Sequence, residues 1–173
     1  MRPSRPGVAW LKALGALVCV VALDRLTKSA IAGSIVPGQE RPILPGLQFV
    51  HTSNRGVAFG FFTGQYTVVV AVIGASLLAL LLYFARHSDR RLIWLPTGLL
   101  IGGALGNVID RLQGGSVTDW IQLPLGWPPF NVADMSITFG VLVLAWVLEG
   151  GPDGGDGAAE EAAPATGKLG RAE

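Results

Sequence analysis

The feature that most constrains this chain is an uncharged run of twenty residues, YTVVVAVIGASLLALLLYFA, at positions 66–85. A helix rises about 1.5 Å per residue, so about 20 residues cross the roughly 30 Å hydrocarbon core of a bilayer. Three further apolar segments of similar length lie near 9–31, 92–112 and 131–149. The sequence therefore predicts an all-α membrane protein with four transmembrane helices.

The composition agrees with a membrane protein and excludes some functions. Of the 173 residues, 50% are hydrophobic and 14% are charged, whereas a soluble domain carries about 25% charged residues. The net charge of +1 leaves no basic surface for phosphates, so we expect no nucleic-acid partner. The only cysteine, Cys19, excludes an intramolecular disulfide, and we expect it to pack among the helices as a small hydrophobe.

The distribution of Lys and Arg predicts how the chain is oriented. Basic residues cluster in the amino-terminal segment and in the connection between the second and third spans: Arg2, Arg5, Lys12, Arg86, Arg90 and Arg91. Such clusters face the cytoplasm, so we expect both termini inside and the connections 33–65 and 113–130 outside. The first segment resembles a signal peptide, but Asp24, Arg25 and Lys28 interrupt it where a cleavage site would lie. We therefore expect a retained helix.

Two regions outside the spans have a distinct composition. The connection 33–65 contains LQFVHTSNRGVAFGFF, in which two Val- and Phe-rich runs flank Ser53–Gly56. This pattern predicts strand, turn and strand, forming a small extracytoplasmic β-rich loop on the lipid headgroups. Residues 150–173 are rich in Gly, Ala, Pro and Glu, which predicts a disordered cytoplasmic tail after a membrane domain of residues 1–149.

Polar residues at span depth gather at the predicted outer ends of the helices. They are Asp24, Lys28, Asn107, Asp110, Arg111, Asn131 and Asp134, while Asn54 and Asp119 lie in the outer connections. Ionisable groups inside a membrane are costly and mark functional sites. A metal site is not expected, because the sequence has no HExxH motif and its histidines, His51 and His87, are predicted on opposite sides.

Some of these residues have a structural alternative. Asp24 and Lys28 are four positions apart with the acid first, so they could form a helical ion pair or could contact substrate. Asn107, Asp110 and Arg111 share one helix face and could form a structural polar clamp. Glycines in the same span predict a close approach of another backbone: Gly102, Gly103 and Gly106.

The acidic residues in and after the second outer connection favour hydrolytic chemistry. Asn131 could simply cap the fourth helix, with Asp134 favoured in its first turn by the helix dipole. Asp119, however, is predicted in a loop that needs no cap, and Trp120–Ile121 would anchor it at the interface. Two carboxylates in a poorly hydrated site share one proton, which provides a base for water and an acid for a leaving amine.

Four sequence blocks, in order along the spans, resemble those of the lipoprotein signal peptidases, the signal peptidase II family. The blocks are DRLTK from Asp24, NRGVAFG from Asn54, GALGNVIDR from Gly103 continuing to VTD at 117–119, and FNVAD from Phe130. The resemblance implies an aspartyl endopeptidase of the bacterial inner membrane. It would cleave signal peptides from prolipoproteins on the amino side of a diacylglyceryl-modified cysteine, at the outer leaflet.

The resemblance also implies roles for individual residues. Asp119 and Asp134 would be catalytic, Asp24 and Lys28 supporting. Substrate binding or positioning would fall to Asn54, Gly56, Asn107, Asp110, Arg111 and Asn131. The partners would be diacylglyceryl-modified prolipoproteins and membrane lipids, with no cofactor. The chain departs from the family pattern with Arg25 where glutamine is common, Trp120 where phenylalanine is common, and a compact loop between the two aspartates.

Two other functions are alternatives to this one. A small proton-coupled transporter could use Asp24, Lys28 and Asp110 as a relay, but it would need charged residues across the bilayer midplane, and spans two to four have none there. A structural or assembly factor would tolerate substitution of both aspartates.

Overall fold

The computed structural model describes residues 6–55 and 66–151, which form four helices and three strands. The helices are α1 (Pro6–Ser34), α2 (Tyr66–Arg86), α3 (Trp94–Gly114) and α4 (Val132–Leu148). Each of them coincides with one predicted span, so the helical character of all four segments is confirmed. The tail was predicted over residues 150–173, and its part beyond Gly151 lies outside the described residues.

The helices differ in how clearly their composition marks a membrane span. Within the described residues, α1 is long and apolar enough to cross a bilayer, and an 18-residue stretch of it has a mean hydropathy of 1.9. The stretches Gly74–Arg86 and Val132–Leu148 are shorter apolar helices. The structure is therefore mostly helical with one clear span, and the four-span topology stays a prediction.

A small antiparallel sheet is built from the two connections that the sequence predicts to lie outside. Its strands are β1 (Glu40–Leu44), β2 (Leu47–Asn54) and β3 (Val117–Gln122), in the order β1-β2-β3. The hairpin between β1 and β2 turns at Gly46, whose φ of 82° is readily adopted by glycine. The central strand β2 then pairs with β3, which lies far away in sequence.

The sheet corrects two sequence-based predictions. Asp119 does not lie in a loop but on β3, opposite Thr52. The predicted turn at Ser53–Gly56 is also misplaced, because Ser53 and Asn54 continue β2. The second predicted strand, over residues 57–62, lies outside the described residues, as does Gly56. The physical reason is that β3 supplies a partner for β2 that local sequence does not contain.

Glycines let α3 pack closely against the helices on either side. A Cβ atom on Gly98 would lie 2.6 Å from the carbonyl oxygen of Ala13 in α1. A Cβ atom on Gly103 would lie 2.5 Å from the carbonyl oxygen of Ala133 in α4. Any larger residue at these positions would push the helices apart, so the predicted close approach of the third span is confirmed.

The burial pattern of α1 is the reverse of the pattern in a helix of a soluble protein. Large apolar residues such as Leu11 and Leu26 are exposed, whereas Asp24 and Lys28 are buried. Cys19 lies on the exposed side, so the prediction that it packs among the helices is wrong. A helix of a soluble domain turns its apolar side inward, so this arrangement suits an apolar surrounding.

The two ends of the helix bundle differ in chemistry. One end, here called the apolar end, holds a cluster of buried hydrophobic residues: Ala9, Ala13, Phe84, Ile93 and Val147. The other end, here called the polar end, holds buried polar residues from α1, α3, α4 and the sheet: Asp24, Lys28, Asn107, Asp110, Asp119 and Asn131. The sheet thus covers the polar end.

Candidate active site

The polar end brings together the site residues that the sequence predicted and that the structure describes. Asp24 and Lys28 come from α1, and Asn107, Asp110 and Arg111 from α3; β2 and β3 provide Asn54 and Asp119, and α4 begins with Asn131 and Asp134. Gly56 lies outside the described residues. The fold therefore concentrates at one place groups that are spread over most of the chain.

The carboxylates of Asp119 and Asp134 are each held by amide donors. Asp119 is 3% exposed. Its Oδ1 accepts a hydrogen bond from Nδ2 of Asn131 at 2.6 Å, and its Oδ2 accepts one from Nδ2 of Asn54 at 3.0 Å. In Asp134, Oδ1 accepts from Nδ2 of Asn107 at 2.8 Å, and Oδ2 accepts from the backbone N–H of Asn131 at 3.2 Å.

Asn131 connects the two aspartates through the amino-terminal cap of α4. Its side-chain Oδ1 accepts from the backbone N–H of Asp134 at 2.9 Å, and the Asp134 side chain bonds back to the Asn131 backbone. This is a capping box, so the structural alternative weighed for Asn131 is correct. The same side chain also donates to Asp119. The cap therefore fixes the two carboxylates relative to each other.

The surroundings of Asp119 favour its protonated form. Burial raises the pKa of Asp119 to about 6, and the negative charge of Asp134 adds to this rise. The hydrogen bonds from Asn54 and Asn131 lower the pKa, but by less than burial raises it. The Asp119 carboxyl group therefore keeps its proton up to about pH 6, well above the range of an ordinary aspartate.

A cavity of about 580 Å³ opens beside the two aspartates. One wall is polar and contains Asn54, Asn107, Arg111, Asp119 and Asp134. The apolar part of the lining, here called the apolar wall, was not predicted from the sequence; it includes Trp127, Pro128, Phe130, Met135 and Phe139. The only sequence signal for this wall was the run of large and rigid residues, WPPF, directly before Asn131. Such a cavity accommodates a substrate with both peptide and apolar groups.

Lys28 lies at the centre of a charged cluster behind this cavity. Its Nζ contacts Oδ2 of Asp24 at 2.7 Å, Oδ2 of Asp110 at 2.8 Å and Oδ1 of Asn107 at 3.2 Å. The helical ion pair predicted for Asp24 and Lys28 is therefore present. Oδ1 of Asp24 also accepts from the backbone N–H of Ala133 at 3.0 Å, which ties α1 to the start of α4.

Asp110 connects this charged cluster to the sheet. Its Oδ2 accepts from the backbone N–H of Thr118 at 3.3 Å, directly before Asp119. Its Oδ1 accepts from Arg25 at 2.6 Å, and Arg25 also donates to Gln113 at 2.8 Å. Asp110 does not line the cavity, so it supports the site from behind. From the sequence, Arg25 stands out only as a departure from the family pattern. Its contacts could not be predicted, because Asp110 and Gln113 lie more than 80 positions further along the chain.

Within residues 6–55 and 66–151, no group of three His, Cys, Asp or Glu side chains is arranged to hold a metal ion. The groups that can carry out chemistry at the polar end are therefore carboxylates, amides and cations. A pair of coupled carboxyl groups beside a cavity is an arrangement suited to general acid–base catalysis.

Residues 16–148 match the family model described as signal peptidase (SPase) II. The chain belongs to the signal peptidase II family. Members of signal peptidase II are aspartic peptidases, so the protein is a hydrolase and the resemblance seen in its four sequence blocks is confirmed. The transporter alternative has no support in these comparisons.

Individual relatives agree with the signal peptidase II assignment. The lipoprotein signal peptidase of Moorella thermoacetica is 41% identical over 133 residues, covering 75% of this chain and 87% of the relative. That of Syntrophomonas wolfei is 40% identical over 136 residues, covering 78% and 91%.

Two solved structures share the fold. One structure of a bacterial membrane enzyme, obtained by the in meso method at 2.3 Å resolution, has a TM-score of 0.74 and 30% identity and covers 92% of this chain and 95% of its own. A second, at 1.9 Å resolution, has a TM-score of 0.70 and 33% identity, with coverages of 82% and 92%.

Proposed function

We propose that this protein removes signal peptides from prolipoproteins by hydrolysing the peptide bond on the amino side of a diacylglyceryl-modified cysteine. The observation that carries the proposal is the pair Asp119 and Asp134, joined by one capping residue beside a cavity with a polar and an apolar wall. The relatives named lipoprotein signal peptidase support this choice of substrate.

The two aspartates have different surroundings, which suggests different roles. Asp134 lies in the first turn of α4, where the partial positive charge of the helix N-terminus stabilises a negative charge. Asp119 lies on a buried strand, and burial raises its pKa to about 6. We assign Asp134 as the ionised carboxylate that acts as general base, and Asp119 as the carboxylic acid.

The reaction follows from this assignment. Asp134 accepts a proton from a water molecule as the water oxygen attacks the scissile carbonyl carbon, and Asp119 donates its proton to the carbonyl oxygen. A neutral tetrahedral diol results. Asp134 then gives its proton to the amide nitrogen as the carbon–nitrogen bond breaks, while Asp119 recovers a proton from one hydroxyl group. The products are an amine and a carboxylic acid, and both aspartates return to their initial states.

The two walls of the cavity suggest how the substrate binds. Asn54 and Arg111 belong to the polar wall, and we assign them to the carbonyl oxygens of the substrate backbone. The apolar wall, with Trp127 and Phe139, would contact an acyl chain or the apolar part of the signal peptide. Asn107, Asn131 and Asp110 would position the aspartates rather than touch the substrate.

A membrane location with four spans would bring this site to its substrate. Large apolar residues are exposed on the outward sides of α1 and α4, among them Leu11, Leu26, Leu142 and Trp146. Arg86, Arg90 and Arg91 lie at the apolar end, which the distribution of basic residues assigns to the cytoplasm. We therefore propose that both termini are cytoplasmic, that residues 150–173 form a tail and that the polar end lies at the outer leaflet.

The location matters for rate as well as for access. A diacylated cysteine in the outer leaflet would hold the scissile bond near the depth of the aspartates. Hydrolysis of such a tethered bond becomes effectively intramolecular, which lowers the entropic part of the barrier.

The direct test is a gel-shift assay of a lipid-modified precursor with the purified protein in detergent micelles. We expect Asp119→Asn and Asp134→Asn each to lower kcat by about a thousandfold or more, because each removes one of the two proton-transfer groups. Asp89→Asn is the matched control, since Asp89 is exposed in the connection between α2 and α3, and it should cleave normally. Turnover near the wild-type rate by either dyad variant, in protein that is folded, would rule out the proposed mechanism.

A further inference from the structure

The turn between β3 and α4 presents a leucine at its tip. The side chain of Leu125 is fully exposed, and its backbone has a φ of 66°. This left-handed conformation is costly for a residue with a Cβ atom, and glycine or asparagine adopts it more readily. A fully exposed side chain offsets none of this cost by packing within the protein. Leucine at this position therefore indicates a contact with something other than the described chain.

A second apolar turn lies beside the first. In the hairpin between β1 and β2, Ile43 and Leu44 are exposed. A Cβ atom on Gly46 of this hairpin would lie 3.1 Å from Cγ of Pro124, so the two turns are close neighbours. A groove of about 450 Å³ is lined by residues of both turns. Together the turns form one surface, here called the apolar tip, made of Ile43, Leu44, Leu123, Pro124 and Leu125.

The apolar tip lies in two segments of the chain without charge. No Asp, Glu, Lys or Arg occurs in residues 42–50 or in residues 120–133. A phosphate headgroup or a charged peptide would find no ion-pair partner on such a surface. Transfer of the tip into an apolar medium is favourable in proportion to the area that leaves water. The occupant that this surface fits is therefore apolar.

The apolar tip continues into the rim of the active-site cavity. Leu123 belongs to the tip and also lines the cavity. Three other large apolar residues both line the cavity and are exposed at the surface: Trp127, Met135 and Phe139. Phe139 lies about 10 Å along α4 from Val132. Exposed apolar side chains therefore extend from the tip, past the mouth of the cavity, to the outward side of α4.

The surroundings of a membrane enzyme decide between the apolar occupants. The chain belongs to the signal peptidase II family and shares the fold of a bacterial membrane enzyme. In a bilayer, the outward side of α4 contacts acyl chains, and a surface that joins it contacts the same medium. Tryptophan is enriched where acyl chains meet headgroups, which suits Trp127 at the rim.

We propose that the apolar tip enters the acyl-chain region of the outer leaflet as a lipid anchor and holds the mouth of the active-site cavity toward that leaflet. This inference rests on the proposed location of the polar end and adds the element that sets its depth. With the tip in lipid, a substrate tethered by its acyl chains enters the cavity sideways and stays at the depth of the aspartates. Leu125 touches no reacting atom, so it is a positioning residue.

The direct test measures the depth of the tip without reference to turnover. Cys19 is the only cysteine, so a nitroxide can be attached to Leu125→Cys in a Cys19→Ala background. The protein is reconstituted into vesicles of phosphatidylethanolamine and phosphatidylglycerol. Oxygen concentrates among acyl chains, so its collisions with this label should exceed those of a water-soluble nickel chelate by about twofold or more. Gln39→Cys is the matched control, because Gln39 is exposed at the other end of the hairpin, and its label should meet the nickel chelate more often.

A second test measures the consequence for cleavage. Leu125→Asn removes the apolar side chain and suits the left-handed backbone. For a lipid-modified precursor in the same vesicles, kcat/KM should fall about fivefold or more, because the cavity mouth is no longer held at the depth of the tethered bond. In detergent micelles, which have no leaflet of fixed depth, kcat/KM should stay within about twofold. Leu125→Phe keeps an apolar side chain and should keep the wild-type value in vesicles.

Two results would overturn the inference. One is a label at position 125 that meets the nickel chelate as often as the label at position 39. The other is an equal loss of kcat/KM in vesicles and in micelles, which would mean that Leu125 contacts the substrate and not lipid. If Leu125→Asn cannot be purified, Leu125→Gly allows the same comparison, since glycine also suits this backbone.

Failure of the proposed function would look different. Active Asp119→Asn and Asp134→Asn variants would reject the pair of aspartates, whereas the oxygen collisions at position 125 do not depend on turnover. Inactive aspartate variants, together with a label at position 125 in water, would reject the lipid anchor alone.

Discussion

The apolar and polar ends of the helix bundle both contain fully buried side chains but are stabilised in opposite ways. At the apolar end Phe84 and Ile93 are 0% exposed, and at the polar end Asp24 and Asn131 are also 0% exposed. Apolar side chains need only a neighbour of suitable shape, because burial of their area is favourable in many arrangements. A buried polar group needs a particular partner at a particular distance, since an unmet donor or acceptor costs about 1–3 kcal/mol.

This difference explains why the fold carries its chemistry at the polar end. Among the described residues, the single buried side-chain polar atom without a hydrogen bond is Nε1 of Trp120. A network that is satisfied to this degree has few alternative arrangements. The polar end therefore holds two carboxyl groups in one geometry, whereas the apolar end contributes stability without specifying the position of any reactive atom.

The largest effect on stability is expected at the apolar end. Phe84 is fully buried there and packs edge-on against Trp10, with ring centroids 4.6 Å apart. We expect Phe84→Ala to lower the free energy of unfolding by about 3 kcal/mol through loss of contacts and formation of a cavity. Unfolding in detergent micelles measures this change.

The same variant tests whether the two ends are independent. In the folded fraction, kcat should stay within about twofold of wild type, because distant sites contribute independently. Phe84→Leu is the conservative control and should cost less than about 1.5 kcal/mol. A large fall in kcat for Phe84→Ala in protein that remains folded would show that the apolar end does shape the site.

The next largest effect is expected on turnover at the polar end. Ser is as good an amino-terminal cap as Asn, but its side chain is too short to reach Asp119 from position 131. We expect Asn131→Ser to lower kcat by about a hundredfold, equivalent to about 2.7 kcal/mol, because Asp119 loses its 2.6 Å donor. The lipid-modified precursor assay measures this loss.

Asn131→Ala is the matched variant that removes both functions of the residue. It should lose as much turnover as Asn131→Ser and should also unfold with about 1 kcal/mol less free energy, because the cap is gone. If Asn131 served only as a cap, Asn131→Ser would retain wild-type kcat. That result would mean that the polar end, like the apolar end, does not depend on one particular partner for each buried group.

The smallest effect is a displacement of the pH profile. Asp119 must be protonated to act as general acid, and its pKa is about 6. kcat/KM should therefore fall as the pH rises above this value. At lower pH the titration of Asp119 causes no loss of kcat/KM. The Asn54 hydrogen bond lowers this pKa. Asn54→Ala should therefore move the alkaline limb to higher pH, by less than about one unit.

Ser53→Ala is the control for the neighbouring position. Ser53 lies on the same strand, is exposed and bonds to Ser116 at 2.7 Å rather than to Asp119. The alkaline limb of the kcat/KM profile of the Ser53→Ala variant should match that of the wild type. A limb that moves to lower pH in Asn54→Ala would mean that another group, not Asp119, holds the proton.

Features that depend on near neighbours in sequence could be predicted well. The four helices were located within a few residues, since apolar runs of this length favour helices in any context. The ion pair between Asp24 and Lys28 and the cap formed by Asn131 were both among the alternatives that spacing alone indicated, and both are present. The four sequence blocks were sufficient for the family, and they indicated most of the polar residues around the cavity.

Features that depend on distant pairing could not be predicted. Val117–Gln122 becomes a strand because β2, in the other connection, supplies its hydrogen bonds, and nothing in those six residues indicates that partner. The burial of Asp119 follows from this pairing, and so do its contact with Asn54 and its raised pKa. The apolar wall of the cavity and the contacts of Arg25 are of the same kind.

Residue types and their spacing are enough to locate the helices, to indicate the family and to identify the polar groups available for chemistry. Those properties depend on residue type and on spacing within one helical turn or one motif. The burial of Asp119 on a strand, and the single asparagine that joins it to Asp134, follow from the fold and not from local sequence. The reason is that hydrogen bonds act over about 3 Å, so partners far apart in sequence are chosen by the fold.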